Sequence, residues 1–472
     1  MSGGRMAGGS AWLVRLGLAG PLAGAVACLC ALMLLLALGA RGEPAVAASA
    51  SPGLSGVHLG VASCAGSTCH GRSEPTGAIV RQDEMMRWQE ASSPSGAHSR
   101  AFAVLSEPRS RVIAQRLGLP SAASAPMCLG CHAEPAGARG PRFQQSDGVG
   151  CESCHGPASG WIEVHKTGNR AASLAAGMVP LDQPKRRAAL CLDCHFGSDR
   201  PGQFVDHRIM AAGHPRVSFE LDLFSTLQAH HDEDADYARR KGRTDHVRLW
   251  AVGQAMAIDR ALSLFTNSRI AQEGIFPEFY FFDCHTCHRR ITDEPGFRSS
   301  AVANPARPIP SGMPAFNDEN MIMLSAAARV AAPAAAARFD ADSKAFHAAL
   351  AQDRAAAVKA AAVLRASANA LGDQFAARSF GRDETFAMLD AVASTSLAPR
   401  FTDYEGSVQA VMAADTLLNA LVDAGYVAAG PAKAVRGQIN LAYAAVRDPN
   451  AYRPLEFRAA LARAVGAIRA LR

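Results

Sequence analysis

Cys151-Glu152-Ser153-Cys154-His155-Gly156-Pro157 decides how the rest of this chain is read. Its spacing recurs at Cys128-Leu129-Gly130-Cys131-His132, Cys191-Leu192-Asp193-Cys194-His195 and Cys284-His285-Thr286-Cys287-His288. With 12 Cys and 15 His in 472 residues, the chain's own frequencies give roughly 0.01 chance matches to C-x-x-C-H, the pattern of covalent haem attachment. Four occurrences therefore exclude chance. The chemistry explains the spacing. Two intervening residues let both thiols reach the vinyl groups on one edge of a porphyrin, and the next residue turns its imidazole under the iron as proximal ligand. A fifth pair, Cys64-Ala65-Gly66-Ser67-Thr68-Cys69-His70, keeps the terminal His but separates its thiols by four residues. Ala65, Gly66 and Ser67 are small enough for the longer loop to pucker outward. A fifth haem c is the expectation, against attachment through Cys69 alone or another use of Cys64.

Zinc is the serious rival, because Cys128, Cys131, Cys151 and Cys154 form C-x2-C-x19-C-x2-C, inside the zinc-ribbon range. A ribbon needs no His after its second Cys, and all five pairs have one. Iron–sulfur clusters and redox dithiols do not require those histidines either. The proximal ligands are then His70, His132, His155, His195 and His288. Ten histidines remain: His58, His98, His165, His207, His214, His230, His231, His246, His285 and His347. A low-spin iron between two imidazoles suits electron transfer, since both oxidation states keep the same ligands; an open sixth position suits substrate chemistry.

His98 is a distal candidate in the helical-looking stretch Ala97 to Phe102, led by Trp88. His165 follows Trp161 and lies past Gly156 and Pro157, and His214 sits in Gly213-His214-Pro215. His207, seven residues before His214, competes with it. For His207, His58, His246 and His285, a surface or core histidine is the preferred reading. His230 and His231 precede the acidic run Asp232-Glu233-Asp234 and read as a solvated loop; His347 reads as structural. No C-x-x-C-K motif occurs, which weakens an enzyme reading.

Upstream, Arg5 and Arg15 precede an uncharged apolar run from Leu16 to Ala40, followed by Ala45-Val46-Ala47, a plausible A-x-A cleavage site. Residues 1–47 read as a signal peptide or a membrane anchor, with the positive flank keeping the N-terminus inside. Cys28 and Cys30 lie in that run and read as small apolar residues. The expected compartment is the periplasm, with the protein soluble or anchored to the inner membrane. The formal charge of +6 is misleading as a sign of nucleic-acid binding. Loss of residues 1–47 removes two net positive charges, and ten haem propionates outweigh five ferric centres.

From Cys64 to His288, 225 residues carry five attachment motifs. Residues 57–300 are expected to form a haem-packed cytochrome domain of loops and short helices, with longer helices near Ser218–Gln228 and Asp245–Phe265. Pro305, Pro308 and Pro310 read as a stiff linker. Residues 301–472 hold no Cys and are rich in Ala, which suits a helical bundle. There, Asp342 opens a run ending at Leu371-Gly372. Thr402 and Glu405 make a capping box for a helix stopping near Gly425, and Pro431 and Pro454 sit at first-turn positions. Val411, Leu417, Leu418 and Leu421 mark a one-sided stripe. The fold class expected is mainly α.

The stretch from His58 to about Arg290 resembles the multihaem c-type cytochromes typified by the tetrahaem protein that accepts electrons from hydroxylamine oxidoreductase in ammonia-oxidising bacteria. The features that carry it are Cys64 to Gly71, His98 after Trp88, and Cys151 to Pro157 followed by His165. The resemblance implies that His98 and His165 ligate haems other than those nearest in sequence. It covers about half the chain and has no counterpart for the fifth motif, the C-x4-C-H spacing or the Ala-rich part. The function expected is single-electron transfer between redox protein partners, a carrier more than a catalyst. The alternative is an enzyme acting on a small nitrogen or sulfur compound at an open haem.

Overall fold

Glycine and proline break the first half of the chain into short pieces. The computed structural model describes residues 56–75, 81–270, 276–288, 304–310, 312–401 and 403–472; the export segment, with Cys28 and Cys30, lies outside them. Proline opens the helix Pro126–His132 and the helix Pro184–His195 at their first positions, where its missing N–H costs nothing. Gly156, at φ 83, ends the five-residue helix Cys151–His155 in a conformation that a side chain would strain. The helix Cys284–Cys287 is a single turn. Val57–His58 pairs in parallel with Ala138–Arg139, the one two-stranded sheet among the described residues. The fold is mainly α.

The long helix His246–Thr266 is capped by Asp245, whose side chain accepts from Arg248 N at 2.9 Å. It packs against Pro184–His195, Arg354–Ala376, Glu319–Ala331 and Tyr404–Asp423. An apolar core therefore runs from Val247 to Ile468 and takes in Tyr280, Phe281 and Phe316 on its way. The helices Pro333–Leu350, Arg382–Ser396, Ala429–Ala444 and Pro454–Arg469 complete the bundle.

Several local expectations change. His98 does not lie on a helix: a 3-10 turn at Pro94–Gly96 leads into turns through Phe102, because Pro94 and Gly96 interrupt any longer helix. The run assigned to Asp342–Leu371 is two helices. Pro333 starts the first, and Asp353 caps the second by accepting from Ala356 N. Thr402 lies outside the described residues. The next helix is capped at Asp403, and Glu405 turns away from a capping box to accept from Cys284 N at 3.1 Å. That helix, Tyr404–Asp423, is buried on nearly every face, Gln409, Thr416 and Ser407 included, so its stripe is not one-sided. In the proline-rich stretch, Arg307 is clamped by Asp403 at 2.8 Å and by Asp318 at 2.5 Å, all three buried or nearly so.

Candidate metal centres

Each histidine that ends a cysteine-pair motif faces a second imidazole. The ring centroids of His70 and His165 are 6.3 Å apart, those of His98 and His195 6.3 Å, and those of His132 and His214 6.2 Å. His207 and His288 stand 6.2 Å apart, and His155 has both His230 and His231 at 6.3 Å. The repeated distance has a simple origin. Two metal–imidazole bonds of about 2.0 Å each, with the ring radii added, separate two centroids by roughly 6 Å. Imidazoles in direct contact stack closer, as His230 and His231 do at 4.2 Å.

In His70, His132, His165 and His214 the Nδ1 is engaged, the arrangement that leaves Nε2 for a metal. His132 Nδ1 donates to Ala101 O at 2.7 Å, His165 Nδ1 to Ile162 O at 2.5 Å, and His214 Nδ1 to Pro215 O at 2.7 Å. His70 Nδ1 instead meets Glu84 Oε2 at 2.9 Å. Burial also keeps the inner rings neutral, the form that ligates. It pushes His155 down to about 3, helped by the neighbouring His231 and His230, and His195 and His230 down to about 4. His98 and His214 are lowered for the same reason. His70 moves the other way because Glu84 bonds its ring.

The ten described cysteines are all free thiols. Burial pushes the Cys154 and Cys191 thiols up to about 12. Among the described residues, the groups of three or more metal-capable atoms mutually within 4.8 Å are His155/His230/His231 and His58/Glu134/Glu152, and neither contains a thiol. The four cysteines of the ribbon-like spacing do not converge. Neighbouring motifs do touch. Cys131 Sγ lies 3.9 Å from Cys194 O, and Cys194 Sγ lies 3.9 Å from Gly130 O. A Cβ on Gly130 would come within 2.2 Å of Gly202 O, so only glycine lets this motif approach the loop at Gly202. Beside Cys194 and His195 an open cavity is walled by Phe196, Met210 and Tyr280, and Phe219 stacks on His195 at 4.5 Å.

Of the distal candidates, His98 faces His195, His165 faces His70 and His214 faces His132. Sequence reasoning passed over three others. His207 does not compete with His214 but sits opposite His288, and His230 and His231, in a loop where His231 is exposed, face His155. Their acidic neighbours are already occupied: Asp232 holds Arg87 at 2.6 Å, and Asp234 pairs with Arg81 while capping the helix Ala235–Lys241. The available signal was the surplus of histidines over proximal sites, not any local pattern. The remaining histidines have other partners. His58 bonds Glu134 at 2.6 Å, His246 bonds Asp222 at 2.9 Å, and His285 lies 3.2 Å from Pro449 O. His347 bonds Ser343 O at 2.8 Å.

Residues 63–156 match the family described as Cytochrome c554 and c-prime. That stretch contains the motifs ending at His70, His132 and His155, together with His98. The match supports a c-type cytochrome, and with it haem c, iron binding and electron transfer. No curated protein and no solved structure matches the chain.

Proposed function

We propose that this c-type cytochrome is a pentahaem electron carrier in which each iron lies between two imidazoles. The observation that carries the reading is the set of five proximal histidines, each with a second ring 6.2 or 6.3 Å away. Cys64/Cys69, Cys128/Cys131, Cys151/Cys154, Cys191/Cys194 and Cys284/Cys287 would hold the five haems. His70/His165, His132/His214, His195/His98 and His288/His207 would ligate four irons, and His155 with His230 or His231 the fifth. Bound haem supplies a one-electron couple. At the His70/His165 and His132/His214 pairs the protein's part is to fix both ligands by their Nδ1 bonds, so that neither has to move when the charge changes.

An enzyme with an open iron needs a proximal histidine without a facing ring, and the five proximal histidines all have one. The contact between the motifs at Cys131 and Cys194 favours short hops between neighbours. Redox protein partners supply and remove the electrons. We place the protein in the periplasm, soluble or held by the apolar run Leu16 to Ala40; among the described residues no helix is long and apolar enough to cross a membrane.

Intact mass together with a pyridine-haem count tests the reading. Five haems per chain and sharp low-spin bands are expected, and a colourless protein or a dominant high-spin signal would overturn it. Cys64→Ala is expected to weaken or abolish the first attachment, and an unchanged mass increment would refute the use of that thiol.

A further inference from the structure

Glu84 is the residue through which two iron sites touch. Its Oε2 meets His70 Nδ1 at 2.9 Å, and its Oε1 lies 3.6 Å from His231 Nδ1. His70 faces His165, and His231 faces His155, so one side chain reaches the ligand sets of two centres. The histidines His132, His165 and His214 rest their Nδ1 on neutral backbone carbonyls. Only a carboxylate can accept such a bond while carrying full negative charge, and that charge makes the imidazole a stronger donor to its metal.

The scaffold around Glu84 is built to hold it there. It is the first residue of the helix Glu84–Trp88 and only 14% exposed. Met85 N donates to His70 O at 3.0 Å, which ties the helix to the first motif. On the other side, Arg87 grips Asp232, the residue after His231, through two bonds of 2.6 and 2.9 Å, and Arg81 pairs with Asp234. The helix is thus laced to both segments whose histidines it serves.

We propose that Glu84 is a shared positioning carboxylate that lowers the reduction potential of the His70/His165 iron and, through His231, of the His155 iron. This rests on the haem assignment above. A negative charge bonded to the ligand favours the ferric state, whose extra positive charge it offsets. The effect is largest at His70, where the bond is shorter, and smaller at His155, where the longer 3.6 Å contact carries it.

The test is potentiometric titration of the full-length holoprotein, followed by electron paramagnetic resonance so that individual centres are resolved, for wild type, Glu84→Gln and Glu84→Asp. Glu84→Gln keeps shape and removes charge. It is expected to raise the His70/His165 midpoint by a tenfold change in the redox equilibrium, about 59 mV for one electron, and the His155 midpoint by less. Glu84→Asp keeps the charge and should return both towards wild type. A packing role predicts the reverse order, since glutamine is the closer isostere. A wild-type count below five haems would strike the haem assignment itself. Five haems in every protein with either midpoint unmoved by Glu84→Gln would overturn the role given to Glu84.

Discussion

Residues 56–245 and residues 246–472 bury their apolar surface by different means. In the second region Trp250, Phe265, Phe339, Phe346, Phe375 and Phe457 are sealed in one continuous core. In the first, the apolar clusters are small: Leu105 with Ala114 and Ala122, and a group around Leu192, Phe196 and Phe219 that leans on the long helix His246–Thr266. The thiols and the paired histidines there are half-buried or exposed and do not seal a core of their own. Side chains alone stabilise the helical bundle, whereas on the reading proposed above the first region would be completed by the porphyrin faces that its paired imidazoles bracket. The contrast also explains helix length. Long amphipathic helices need a shared apolar face to pack on, and a segment that wraps flat rings can turn every few residues.

The largest effect should come from withholding haem. In a chain produced without haem attachment, residues 56–245 are expected to lose their protection from amide exchange while residues 319–469 keep theirs. Equal protection of the two regions, read by exchange mass spectrometry, would end the comparison. Next in size is truncation of the conventional core. Phe346→Ala should cost about 3–5 kcal/mol in denaturant unfolding and leave the haem bands unmoved. Leu105→Ala, in the small cluster, should cost about 2 kcal/mol, the low end for such a change.

The seam between the regions offers a smaller, pH-dependent effect. Burial opposes the charge on His246, but its bond to Asp222 and the nearby Asp423 outweigh it and lift the imidazole to about 9. A folded value above the unfolded one of about 6.5 means that this contribution is complete below pH 6.5 and is lost as the pH rises through 9. Stability should therefore decline across that window by on the order of 3 kcal/mol, and His246→Gln should flatten the curve. The smallest change is spectroscopic. The His70/His165 planes are 21° apart and the His207/His288 planes 34°, against 86° for His132/His214. Near-parallel planes split the iron d orbitals and give rhombic low-spin spectra, while crossed planes give strongly anisotropic ones. On the pentahaem reading, one signal type for all centres would contradict the geometry.

Much of this arrangement is legible in the residues. The attachment motifs announce themselves, and so do the cap at Asp245, the proline at the start of Pro454–Arg469 and Gly425 just past the end of Tyr404–Asp423. These are local rules, satisfied within a few residues. The histidine pairs are not local: His70 finds His165 and His132 finds His214 across long stretches of chain, and nothing beside His207 or His231 records which ring it will face. Glu405 shows the same limit inside a helix. Its position suits a capping box, yet the amide of Cys284, distant in sequence, takes its carboxylate.

The mutual contact of Cys131 and Cys194 also bears on biogenesis. Each sulfur lies against a carbonyl of the other motif, Cys194 O and Gly130 O respectively, and Gly202 closes over the glycine between Leu129 and Cys131. If both sulfurs carry haem, as proposed above, ligation on separated segments before the two motifs meet is the expected order of manufacture, because each sulfur then lies against a carbonyl of the other motif.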